Sequence, residues 1–202
     1  MPSNNNIYKM SNAGGFKSLN RYYDMLAGNA TFVETAYESI ASSSPAGSAN
    51  ITFSSIPQTY QHLQIRFYMP DCSTAPGNLW FYPNGDTTGN KTLHEMNGTG
   101  FATTSGFANG LPWNRICYQG ATHAYPLVSI CDLFDYANTN KFKTSRVLWG
   151  SNRNNSGAPY DTYIGLTSGY IPIINAFTSL TIGRDSGNFP TGTHIGLYGI
   201  KG

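Results

Sequence analysis

Charge is what this sequence has least of. Charged residues make up 11% of the 202-residue chain, about half the share of an ordinary soluble domain. Twelve Lys and Arg against ten Asp and Glu leave a net charge of +2. A protein that grips a polyanion by neutralising phosphates needs a denser basic surface, so nucleic acid is not an expected partner. The strong helix formers are also sparse, which argues against a helical bundle. No stretch approaches the roughly 20 apolar residues of a membrane-crossing helix, and no membrane partner is expected. The opening Met1-Pro2-Ser3-Asn4-Asn5-Asn6 lacks the basic start and apolar run of a signal peptide. Synthesis in a cytoplasm, without export by the general pathway, is the expectation. The only cysteines are Cys72, Cys117 and Cys131. They form no CxxC and have no His at zinc spacing, so free interior thiols are expected.

What the chain does have is turn formers and rings. Its 22 Gly and 11 Pro, with much Asn, Ser and Thr, indicate many turns. The hydrophobic share of 40%, with 14% aromatic, supplies a core and excludes intrinsic disorder. A surface this poor in charge can pack against identical copies with little ionic repulsion, which suits a subunit of an assembly.

Two regions differ in character. Residues 1–30 show no strand alternation. A short helix fits residues 18–26, with Ser18 as N-cap and Leu19, Tyr22, Tyr23 and Leu26 along one side. Gly14-Gly15 precedes it, and Lys9, Lys17 and Arg21 are basic. Apolar anchors on such a thread suit an arm that docks on a partner; the alternative is a segment folded back on its own domain. Residues 31–202 read as β structure. Short strands are expected over 37–41, 50–56, 61–68, 79–82, 113–119, 127–134, 142–149, 162–166, 177–182 and 194–200. The 61–68 run alternates cleanly: Leu63, Ile65 and Phe67 inward, His62, Gln64, Arg66 and Tyr68 outward. The nearly continuous apolar run at 127–134 predicts a central strand. Residues 57–60 are short enough to make a hairpin or a corner. Residues 87–112, rich in Gly and Asn, read as a long functional or interface loop. The sum is an all-β fold: a jelly-roll-like antiparallel β-sandwich carrying an extended N-terminal arm.

Catalytic signatures are missing. There is no G-x-S-x-G and no P-loop. His62, His94, His123 and His194 share no metal-ligand spacing. His94-Glu95 is half of a zinc-protease motif, but Gly98 stands where the second His belongs. Asp86 lacks the continuation of a calcium loop. Asp132 and Asp135 would fall on opposite faces of a strand running into a turn, and Asp135 reads as a turn-capping residue. No catalytic residue, metal or cofactor is therefore expected. The remaining feature is aromatic: Trp80, Tyr82, Trp113, Tyr118, Tyr125, Trp149, Tyr160, Tyr163 and Tyr170 exceed what one core needs. About half should sit at a rim or interface, where ring and polar tip both find partners.

Three stretches carry a resemblance. The first is Tyr8-Lys9-Met10-Ser11-Asn12-Ala13-Gly14-Gly15-Phe16-Lys17-Ser18-Leu19, followed by Met25-Leu26-Ala27-Gly28-Asn29. The second is Ile51-Thr52-Phe53-Ser54-Ser55-Ile56-Pro57-Gln58-Thr59-Tyr60-Gln61-His62-Leu63-Gln64-Ile65-Arg66, with Asn84-Gly85-Asp86-Thr87 further on. The third is Asp135-Tyr136-Ala137-Asn138-Thr139-Asn140-Lys141-Phe142-Lys143-Thr144, closed by Leu197-Tyr198-Gly199-Ile200-Lys201-Gly202. Together they resemble a family of tailed-phage virion proteins common in marine and cyanobacterial phages. The resemblance implies a structural, non-enzymatic virion component made in the host cytoplasm. Its motifs look structural, so no active-site residue carries over. Low charge and an anchor-like arm agree with a capsid decoration (cement) protein. Its arm would touch capsid or neighbouring copies through Lys9, Phe16, Lys17, Arg21, Tyr22 and Tyr23. A homotrimer follows by analogy with cement proteins on threefold axes. The alternative is a host-binding tail fibre, tailspike or baseplate module, with Trp80, Trp113 and the 87–112 loop facing a host surface glycan. An enzyme acting on polysaccharide would need a carboxylate pair that the sequence does not display.

Overall fold

A computed structural model describes residues 36–70, 77–99, 102–119, 126–151 and 163–202. The expected arm with its six contact residues and its short helix, the boundary between residues 30 and 31, and Cys72, His123, Tyr125 and Tyr160 lie outside them. The described residues form twelve strands: β1 (Tyr37–Ser43), β2 (Asn50–Phe53), β3 (His62–Met69), β4 (Gly77–Pro83), β5 (Lys91–Gly98), β6 (Thr103–Leu111), β7 (Asn114–Gln119), β8 (Leu127–Phe134), β9 (Lys143–Ser151), β10 (Tyr163–Ile171), β11 (Leu180–Arg184) and β12 (His194–Ile200). No helix occurs among the described residues.

The strands make two antiparallel sheets, ordered β1-β12-β3-β8-β9-β10-β5-β6 and β2-β11-β4-β7. Setting aside β5, β6, β9 and β10 leaves eight strands in the orders 1-8-3-6 and 2-7-4-5 when renumbered along the chain. That is the jelly roll: consecutive strands alternate between sheets except strands 4 and 5, which pair within one sheet, and the last strand returns beside the first. The two added strand pairs, β5–β6 and β9–β10, join at a β10–β5 pairing. They widen one sheet beyond the other by four strands.

Alternation drives these elements. β9 and β10 run buried–exposed almost without fault, as a strand with one face on a core must. Leu63, Ile65, Phe67, Leu127, Cys131, Leu133, Val147, Ile195 and Leu197 line the inner face of the large sheet. Leu79, Phe81, Ile116, Leu180 and Ile182 line that of the small one. Each such side chain contributes about 1.5–3 kcal/mol by leaving water. β10 turns two glycines inward because neighbouring side chains fill the space. A Cβ on Gly165 would lie 2.2 Å from the Trp149 ring, and one on Gly169 would lie 2.4 Å from Asn114 Oδ1. Trp149 is buried, and its indole N–H donates to Thr167 Oγ1 at 3.3 Å.

One expectation needs correction. Residues 87–112 are not one long loop, because β5 and β6 fill most of them. Their Gly and Asn content hides a ladder whose stability comes from pairing with β10 and not from local propensity. Of the hairpin or corner expected at residues 57–60, the structure makes the corner, since β2 and β3 lie in different sheets. The 127–134 run, β8, is central, lying between β3 and β9.

Candidate functional site

The outer face of the large sheet departs from the usual polar exterior. Strand register sets its side chains in rows that cross the strands. One row reads Arg66, Ile130, Leu148, Leu166, Met96, Ser105 across β3, β8, β9, β10, β5 and β6. The next reads Tyr68, Val128, Gly150, Ile164, Gly98, Thr103. These apolar residues are open to solvent: Ile164 is 63% exposed, Met96 62%, Leu148 55% and Val128 54%. Gly150 and Gly98 flank Ile164, so a protruding side chain stands between two notches. A concavity of about 760 Å³ lies over this stripe, lined by Val128, Ile130, Leu148, Gly150 and Ile164 among others. A second of about 510 Å³ continues it past Leu166 and Met96 to Phe107.

A polar row borders the stripe. Asp132, Arg146, Ser168 and His94 stand side by side on β8, β9, β10 and β5. Asp132 accepts from Gln64 Nε2 at 2.8 Å, and Gln64 Oε1 accepts from Arg66 Nε at 2.8 Å. The Arg66 guanidinium lies 4.7 Å from the ring centre of Tyr198. His94 packs on Phe107 with ring centres 4.9 Å apart. The charges of this border are thus few and of both signs.

The small sheet presents a different outer surface. Trp80 and Tyr82 on β4 stack, with ring centres 5.3 Å apart and planes 17° from parallel. The Trp80 ring covers Gly183 on β11, where a Cβ would meet it at 2.4 Å. Thr52 and Thr181 share a hydroxyl hydrogen bond of 2.9 Å on the same sheet. Arg115, paired opposite Trp80, forms an ion pair with Glu95. Trp80 and Trp113 are both half-buried; Trp113 precedes β7 and is not part of the stacked pair. Of the other ring candidates, Trp149 belongs to the core. Tyr118 and Tyr170 are exposed, and Tyr163 is half-buried.

Parts of the second and third sequence motifs gather elsewhere, at one end of the sandwich; the first motif lies outside the described residues. Tyr136 is fully buried; its hydroxyl donates to the Pro57 carbonyl, and its own carbonyl accepts from Phe177 N at 2.9 Å. Gln58 Nε2 donates to the carbonyls of Ile56 and Phe177 at 2.8 and 3.0 Å. Asn84 Nδ2 donates to Ala176 O at 2.8 Å, and its Oδ1 accepts from the backbone of Thr178 and Ser179 at 2.8 and 3.2 Å. Buried Lys143 donates from Nζ to the carbonyls of Asn138, Lys141 (3.1 Å) and Ile174 (2.7 Å). Burial pushes the Lys143 ammonium below its usual pKa, against the pull of Asp135. Gln58, Asn84, Tyr136 and Lys143 therefore all fasten the segment 171–179.

His62 and Asp135 meet here too, but the Asp135 backbone N–H donates to His62 Nδ1 at 3.0 Å, and the Asp135 carboxylate takes Lys141 Nζ at 2.6 Å. Asp135 sits at φ +52°, the left-handed conformation of a turn. These polar groups are spent on backbone and ion-pair contacts that shape loops. The turn reading of Asp135 holds in its conformation, although its carboxylate engages Lys141 and not the expected backbone N–H. Asp132 lies on the outer face of the sheet. Among the described residues no three His, Cys, Asp or Glu side chains are placed to hold a metal ion. Cys117 and Cys131 are both fully buried, and burial pushes the Cys131 thiol upward.

The apolar stripe did have a sequence signal. An alternating strand with a single buried face should carry polar residues between its core positions, but β8 reads Leu-Val-Ser-Ile-Cys-Asp-Leu-Phe. Val128 and Ile130 are the surplus, exposed on the outer side. No protein-family model matches this chain, and no curated protein and no solved structure matches it at a significant level.

Proposed function

We propose that this chain is a structural subunit of a tailed-phage virion, and within the virion a decoration (cement) protein of the head. The observation that carries an assembly role is the apolar stripe across five strands. Solvent-facing aliphatic rows of this extent mark association surfaces in soluble proteins. The resemblance of the sequence motifs to those of phage virion proteins supports the particle reading. Among the described residues, the motif side chains Gln58, Asn84, Tyr136 and Lys143 fasten loops. A jelly roll serves viral shells and lectins alike, so the fold by itself does not choose between them. The arm of residues 1–30 would attach the subunit, with Lys9, Phe16, Lys17, Arg21, Tyr22 and Tyr23 as contacts and a homotrimer as the unit.

Attachment is tested by removing residues 1–28 and adding the purified variant to particles that lack the protein. Loss of binding by a folded variant is expected. Normal binding would contradict the arm.

One observation favours a second reading. The stacked Trp80–Tyr82 pair, beside the hydroxyls of Thr52 and Thr181, has the composition of a surface that stacks a sugar ring and bonds its hydroxyls. A host-binding tail module would use it. Glycan-array binding that fell at least 10-fold in Trp80→Ala would establish this reading in place of the first.

A further inference from the structure

We infer that the apolar outer face of the widened sheet is covered by a second copy of this chain. The inference rests on the assembly reading above and names the partner for that surface. Val128, Ile130, Leu148, Ile164, Leu166, Met96 and Phe107 form the face. Their exposures sum to roughly 700 Å² of open residue surface, against about 800 Å² that each partner gives to a standard stable interface.

Charge argues for an identical partner. The stripe itself carries no charged residue. Its border holds Asp132 and Arg146 opposite one another, with Arg66 at one end. A partner chosen by charge would face a surface of one sign, and this one is mixed and nearly neutral. With a whole-chain net charge of +2, two copies approach almost without repulsion.

Shape agrees. Packed sheets sit about 10 Å apart with side chains interleaved. In the second row Ile164 stands between Gly150 and Gly98, while Ile130, Leu148, Leu166 and Met96 form an unbroken ridge beside it. A Cβ on Gly98 would meet only Ile164 Cγ2, at 3.6 Å, so the fold does not require glycine there for lack of room. A surface carrying both ridge and notches can receive its own image. A contact in which the same patch serves both partners is the isologous arrangement of paired subunits.

The test is the mass in solution of the full-length chain, by light scattering or sedimentation across a concentration series. The wild type should weigh two chains, or six where trimers pair through this face, at micromolar concentration. Leu148→Glu combined with Leu166→Lys should raise the dissociation constant at least about 100-fold. Leu148→Thr with Leu166→Thr, which keeps strand propensity, should weaken association in the same direction and guards against misfolding. Ile174→Lys, an equally exposed apolar position off the stripe, should change nothing. A monomeric wild type, or an oligomer indifferent to both double variants, would overturn the inference. A monomer that still incorporates into particles would leave the virion reading standing without it.

Discussion

Gly199 lies beneath the ring of Tyr60, so closely that a Cβ at position 199 would fall 2.3 Å from Tyr60 Cγ. The pair joins the segment leading into β3 to the last strand, and the Gln61 N–H donates to Ile200 O at 2.9 Å beside it. Two stretches far apart in the sequence thus owe their composition to one contact. Gly199→Ala should destabilise the domain by about 2–3 kcal/mol through overpacking. Gly98→Ala, which meets only an ordinary contact, should stay within about 0.5 kcal/mol. Urea denaturation of both variants checks the difference.

Lys143 is a buried cation held by carbonyls of two loops. Lys143→Met keeps the stem and removes the ammonium, leaving the carbonyls of Asn138, Lys141 and Ile174 short of a donor. A loss of about 2–4 kcal/mol is expected. Faster amide exchange confined to residues 136–141 and 171–179 should accompany it, and is the readout that separates loop fastening from a general core defect.

Asn84 combines a left-handed backbone, φ +53°, with a side-chain clamp on residues 176–179. Asn84→Gly keeps the conformation and loses the clamp, at about 1 kcal/mol. Asn84→Ala loses both and should cost about 1 kcal/mol more. Thermal melts of the two variants separate backbone from side chain.

Much of the body was legible because β3, β9 and β12 alternate as one-sided strands do. β8 was legible in position and misleading in surroundings. Its apolar run placed it centrally, but Val128 and Ile130 are apolar on the solvent side and belong to the stripe. β5 and β6 were not legible. Among their residues only Lys91 and Leu93 are fully buried, so neither shows an apolar period, and cross-strand pairing alone makes them strands. The jelly-roll path is recoverable from alternation only once pairings are known. The buried lysines were equally hidden, since nothing local tells an interior Lys143 from an exposed Lys141.

Asp86 makes a pH prediction. Burial raises its pKa, but hydrogen bonds from Thr88 and Lys91 outweigh it, and the carboxyl ends below its ordinary value of 3.8. A carboxylate with a lowered folded pKa adds stability that is present above 3.8 and lost as pH falls through the folded value. Asp86→Asn should therefore flatten the acid limb of the stability profile below about pH 4. Buried Lys91, whose Nζ sits 2.9 Å from Asp86 Oδ2, would lose its counter-charge at every pH above that range. Denaturation midpoints from pH 2 to 7 provide the check, and an unchanged acid limb in the variant would contradict the assignment.

Electron cryomicroscopy of intact particles, with this subunit labelled, tests the central claim most directly. The account predicts many symmetrically placed copies on the head surface, with the widened sheet covered. Particles that carry no copies would contradict it, and so would copies confined to the tail.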